Sequence, residues 1–224
     1  MVFAINENKM GVMPVGKLLI TMSLPMIASM LVQAAYNIVD SIFVAAINEN
    51  ALTALSLAFP IQNLLIGVAT GTGVGMNALL SKALGEKNYE KVNKIASNGV
   101  FLSLLGYLLF LIFGIFGSRF FFQIQTDNSQ IIEYGTSYIS ICTIASLFVF
   151  IQIIFGRLMQ STGRTVYSMF TQGIGAIVNI ILDPILIFGF FGLPKLGVAG
   201  AALATVLGQF VSAIMGIILN QKFN

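Results

Sequence analysis

Residues 18–47 read LLITMSLPMIASMLVQAAYNIVDSIFVAAI, an apolar run interrupted by one charged side chain, Asp40. About 20 apolar residues suffice to carry an α-helix across the hydrocarbon core of a bilayer, so this run predicts a membrane span. Five more runs of the same kind follow at 52–81, 95–117, 134–156, 165–189 and 198–219. Four of the six carry no charge, and the fifth run holds a single aspartate, Asp183. Strands of a membrane barrel would alternate apolar and polar residues over about ten positions. These runs do not alternate. The fold class they predict is an all-α integral membrane protein of six transmembrane helices.

Composition agrees. Of 224 residues, 8% are charged and 57% hydrophobic, against about a quarter charged in soluble domains. The basic pI of about 9.1 does not call for nucleic acid once the charges are placed along the chain. Lys9, Lys17, Lys82, Lys87, Lys91, Lys94, Arg157, Arg164 and Lys222 gather on one side of the spans, while Arg119 and Lys195 fall on the other. Lys and Arg are retained on the cytoplasmic side, so both termini, the 82–94 segment and the 157–164 loop are expected in the cytosol. Residues 1–15 form a cytosolic N-terminal segment too polar for a signal-peptide core, and 16–224 form the membrane lobe. The 82–94 segment, KALGEKNYEKVNK, reads as a short amphipathic helix along the inner interface. The sole cysteine, Cys142, excludes an internal disulfide, and the absence of histidine argues against zinc, haem and His-based acid–base chemistry.

Asp40 and Asp183 are the most informative residues. A charge at mid-bilayer costs about 2.5–3.5 kcal/mol even on the lenient insertion scale, and such residues are functional by default. Asp40 lies seven residues and Asp183 six residues before the outer ends of their spans. At about 1.5 Å per residue both sit near 10 Å below the outer boundary, at a depth where they can share one site. Gln33, Tyr36, Asn37 and Asp40 follow helical spacing, as do Gln172, Ala176, Asn179 and Asp183. Two polar stripes ending in aspartates should face an inner, wetted cavity. Tyr138 and Gln152 in the fourth run are further cavity candidates, from their polarity in an apolar span.

Pro25, Pro60 and Pro184 are expected helix breaks. Each removes an amide donor and frees the carbonyl four residues earlier, at Thr21, Ser56 and Ile180. The Ile180 carbonyl beside Asp183 would enrich an oxygen site for Na⁺ or an exchangeable proton. Small residues four apart, at Gly67, Gly71 and Gly75 and again at Gly200, Ala204, Gly208, Ser212 and Gly216, predict smooth faces for close helix packing. The string GTGVG (71–75) lies in an uncharged span with no preceding strand, which argues against a nucleotide site.

These segments resemble the multidrug and toxic compound extrusion (MATE) family. The blocks are PVGKLLITMSLPMIASMLVQAAYNIVDSIFVA (14–45), FPIQNLLIGVATGTGVGMNALLSKALGEKN (59–88), QSTGRT (160–165), NIILDPILIFG (179–189) and LGVAGAALAT (196–205). The resemblance runs from about residue 14 to the C-terminus and implies the N-terminal six-helix lobe of a V-shaped, twelve-helix, two-lobe antiporter. It further implies export of organic, often cationic compounds across the plasma membrane in exchange for Na⁺ or H⁺, without a cofactor. Asp40, Asn179 and Asp183 match the acidic and amide positions of the family's cation site, with Thr205 as a further ligand. Tyr36 and Gln33 match polar positions of its cavity. One lobe would need a second lobe, or a second copy of the chain, as partner.

Three other readings compete. An intramembrane aspartyl protease needs Gly-x-Gly before one aspartate, whereas Asp183 follows NIIL and Asp40 follows YNIV. A lipid-linked oligosaccharide flippase of related architecture would place basic residues in its cavity, and none of the predicted spans contains one. The third is an inactive half-length fragment.

Overall fold

A computed structural model describes residues 11 and 13–223; Lys9 and most of the 1–15 segment lie outside the described residues. Helix α1 spans Val15–Ala45 and α2 spans Glu49–Gly85. Helix α3, Tyr89–Ile112, runs through a π-helical turn at Phe113–Gly117 into α4, Ser118–Gln123. Helices α5, Ser129–Ile144, and α6, Leu147–Ser161, follow one another across a bend of 46°. Helices α7, Thr165–Phe188, and α8, Val198–Phe223, complete the lobe. Among the described residues five helical segments are long and apolar enough to cross a membrane, and six when the bent α5–α6 pair is counted as one span.

The turns are written in asparagine. The side chains of Asn48, Asn88 and Asn128 accept from the first free amides of α2, α3 and α5, at Ala51, Lys91 and Ile131 among others, a favoured N-cap arrangement. This shapes the 82–94 segment differently from the expected interfacial helix. Helix α2 continues to Gly85, Lys87 takes a left-handed φ of 55°, and Asn88 starts α3 at once. The segment is a tight corner between two long helices. Its Lys91–Glu86 and Lys94–Glu90 pairs are exposed and add little stability.

The closest packing joins α7 to α8. A Cβ at Gly175 would lie 2.7 Å from the Gly208 carbonyl and collide with Ser212 Oγ; one at Gly208 would lie 2.6 Å from the Gly175 carbonyl. Ser212 Oγ donates to the Thr171 carbonyl at 2.8 Å. Gly200, Ala204, Gly208, Ser212 and Gly216 are all buried, so the small-residue stripe on α8 is a packing face. The stripe on α2 behaves otherwise. Gly67, Gly71 and Gly75 are exposed, with nothing within 4 Å of an added Cβ.

The expected proline breaks also resolve differently. Pro25, Pro60 and Pro184 each lie inside a helix that continues past them. The irregularities fall instead at Ala145–Ser146 and in the π-helical turn, and they touch. A Cβ at Gly114 would meet Thr143 Oγ1 and come within 3.2 Å of the Ile144 amide. At the bend the Ser146 and Phe148 amides bond three residues back, to Thr143 and Ala145, tightening the turn.

Candidate functional site

Asp183 projects from α7 into the end of the bundle carrying the 46–48, 124–128 and 189–197 connections. A core of Val44, Ala51, Tyr138, Cys142, Ile187 and Val198, among others, closes that end. One helical turn before Asp183 lies Asn179. Its Nδ2 donates to Asp183 Oδ1 and to Thr205 Oγ1 of α8, each at 3.3 Å. Asp183, Asn179 and Thr205 are therefore one connected group, buried on two helices that pack backbone to backbone. Asp40 is buried on α1, which packs along α7, and the two carboxylates lie within electrostatic reach of each other.

The unmet hydrogen-bonding capacity of this group is its chemistry. Asp40 Oδ1, Asp183 Oδ2 and Asn179 Oδ1 are all buried without a partner among the described residues. Most buried polar atoms are paired, and a carboxylate oxygen can only be satisfied by a donor or a cation. Asn179, Asp183 and Thr205, hydrogen-bonded in one chain, with Asp40 within electrostatic reach, offer oxygen atoms of the kind that suit a hard cation or a proton.

A cavity of about 300 Å³ opens from this group along the inside of the lobe, walled by α1, α2, α6, α7 and α8. Gln33, Tyr36, Gln152 and Gln172 line it, as do Asn179 and Thr205. Asn37 does not line it and is exposed. Tyr138 is buried behind the wall, where its hydroxyl accepts from Gln62 Nε2 at 3.0 Å. It sits within electrostatic reach of Asp40. Asp40 and Asp183 themselves lie beyond the lining.

The cavity wall also holds residues that the sequence reading did not select: Gln160, Gln209 and, above all, Arg157. The charge pattern of the sequence places Arg157 in a loop, but α6 extends to Ser161 and the Arg157 side chain turns into the cavity. Lys and Arg are counted as loop markers because they are costly in lipid; here the stem lies on Gly73 of α2 and the charged head faces the cavity. The expectation of a cavity free of basic residues is thereby corrected, and with it the argument raised against a flippase. Gln209 follows Thr205 by one helical turn and could have been read from that spacing.

The MatE family model matches residues 25–185. The chain is 27% identical over 202 residues to a FAD transporter of Shewanella oneidensis, covering 89% of this chain and 44% of that protein. It is 29% identical over 211 residues to the multidrug export protein MepA of Staphylococcus aureus, covering 93% of this chain and 46% of that protein. Among solved structures, the outward-facing conformation of a multidrug resistance MATE family transporter of the MOP superfamily superposes with a TM-score of 0.84 at 26% identity. That match covers 92% of this chain and 45% of the other. The chain thus spans about half the length of the relatives it matches.

Proposed function

The chain belongs to the MatE family, and from that premise we propose that it acts as one six-helix lobe of a cation-coupled antiporter. The lobe would export small organic molecules, organic cations among them, across the plasma membrane with its termini in the cytosol. Na⁺ or H⁺ would couple at Asp40, Asn179, Asp183 and Thr205, and Gln33, Tyr36, Gln152 and Gln172 would line the cargo path. The observation that carries this reading is the set of three orphaned oxygens, on the hydrogen-bonded Asn179–Asp183 pair and on the buried Asp40 within electrostatic reach of Asp183. Loss of water from those atoms is costly unless a positive species replaces it, and exchange of that species is what couples the site to an ion gradient.

The partner would be a second six-helix lobe or a second copy of the chain, facing it about an axis along the membrane normal. Support comes from the exposed sides of α1 and α2, where Leu19, Leu31, Ile38 and the Gly67–Gly71–Gly75 stripe lie uncovered.

Efflux from proteoliposomes under an imposed Na⁺ or pH gradient tests the coupling site. The chain is paired with a second lobe, and Asp40→Asn and Asp183→Asn are compared with the unaltered protein. Gradient-independent, full-rate export by both variants would overturn the reading.

A further inference from the structure

Among the described residues, Arg157 is the only formally charged side chain on the cavity wall, and its surroundings hold it there. Gly73 makes room for its stem: a Cβ at 73 would lie 2.9 Å from Arg157 Cγ and 3.7 Å from Nε. Its NH1 donates to Gln160 Oε1 at 2.9 Å, and Gln160 Nε2 in turn donates to Ser168 Oγ of α7 at 3.1 Å. Gln172 Nε2 reaches the same Ser168 oxygen at 3.5 Å. The guanidinium is thus fixed by α2, α6 and α7 together. No carboxylate of the described residues pairs with it.

A guanidinium has five N–H donors and no acceptor, in a fork that matches carboxylate and phosphate oxygens. Only one of those donors has a protein acceptor among the described residues. A half-buried cation without a counter-charge is costly, and its remaining donors point to a negative group supplied from outside the chain. Along α7, Ser168 lies eleven residues from Asn179, about 16 Å at helical rise. The guanidinium and the Asn179–Thr205 pair, beyond which the carboxylates lie, therefore stand far apart along one cavity.

We propose that Arg157, seated on Gly73 and braced by Gln160, is an oxyanion subsite for a phosphate or carboxylate borne by the molecule that occupies the cavity. The proposal rests on the transporter reading for calling that molecule cargo, but the subsite itself is a matter of binding. A water-soluble cargo and a lipid headgroup carry the same oxyanion chemistry.

Phenylglyoxal modification of arginines, read by peptide mass spectrometry on the chain in phosphatidylcholine nanodiscs, tests it without any substitution. Arg119 and Arg164 serve as internal references. Phenyl phosphate at about ten times its half-protecting concentration is expected to slow modification of Arg157 by about tenfold, because only the unoccupied fraction reacts, while phenyltrimethylammonium leaves it unchanged. A second arm replaces phenyl phosphate by phosphatidylglycerol in the disc. Protection in the first arm alone assigns the oxyanion to a soluble molecule, and protection in the second assigns it to a lipid; either supports the subsite. Protection in neither arm, or equal protection by phenyltrimethylammonium, overturns it. Asp40→Asn and Asp183→Asn should keep the protection while losing coupled efflux, so failure of the subsite and failure of the coupling site are read separately.

Discussion

Helices α1 and α7 carry one buried aspartate each, yet they are held in the lobe by different means. On α7 eight residues are buried, and its backbone touches that of α8 through Gly175 and Gly208. On α1 only Ser29, Asp40 and Val44 are buried, while Leu19, Leu24, Leu31, Ile38 and Ile42 stand exposed. Asp183 is a fixture of a packed helix pair, tied through Asn179 to Thr205. Asp40 is presented by a helix most of whose surface awaits lipid or another lobe. Burial of a carboxylate therefore does not require burial of its helix; a single inward-facing stripe is enough.

The sharpest way to break this comparison is to remove each charge in a complete two-lobe protein. Asp40→Asn and Asp183→Asn should both reduce ion-driven efflux to the level of empty vesicles while the proteins insert normally, because the amide keeps shape and loses charge. Efflux by Asp40→Asn at the unaltered rate would leave Asp183 as the whole coupling site.

Next in size is the packing contrast. Gly175→Val should destabilise the lobe by about 3 kcal/mol, since the added atoms collide with Ser212 and the Gly208 carbonyl. Gly71→Val, on the open stripe of α2, should change stability of the isolated lobe by less than about 0.5 kcal/mol. Thermal unfolding in detergent, followed by monodispersity, compares the two. Equal losses would show that the α2 stripe is covered within a single lobe.

A smaller effect is expected at Thr205→Val, which removes the oxygen that accepts from Asn179. Apparent ion affinity in efflux should fall about fivefold, on the order of 1 kcal/mol for one hydrogen bond, with maximal rate kept. Pro184→Ala should weaken coupling modestly by supplying an amide to the Ile180 carbonyl, measured as a shallower ion dependence of transport. Smallest of all, Asn37→Ala should leave efflux within twofold of the unaltered rate, because the side chain points away from the cavity. A loss comparable to that of Asp40→Asn would mean that α1 turns a second face inward.

The spans and both aspartates were legible because hydropathy and the cost of a buried charge act over long stretches. What escaped depended on angle and on local packing. Asn37 shares helical spacing with Gln33 and Asp40, but at about 100° per residue it lies some 60° round from Asp40, on the far side from Tyr36. That places it at the edge of the stripe, where sequence does not say in or out. The bend at Ala145–Ser146 contains neither proline nor glycine and leaves hydropathy unchanged, so only the fitted turn at Gly114 reveals it. Arg157 was hidden by the rule that places arginines in loops. Its seat depends on a missing side chain at Gly73, in another helix and far away in sequence.

The bonds of Asn179 give the cavity a direction. Both its N–H groups are already spent, on Asp183 and Thr205, so toward anything else the amide offers only oxygen. That end of the cavity offers the Asn179 oxygen with the Thr205 hydroxyl as its hydrogen, and the other, at Arg157, has donors in excess. A small molecule with donors at one extremity and acceptors at the other would meet a matching surface in one orientation and a mismatched one when reversed. The cavity thus has a head and a tail, written in which atoms carry protons rather than in shape.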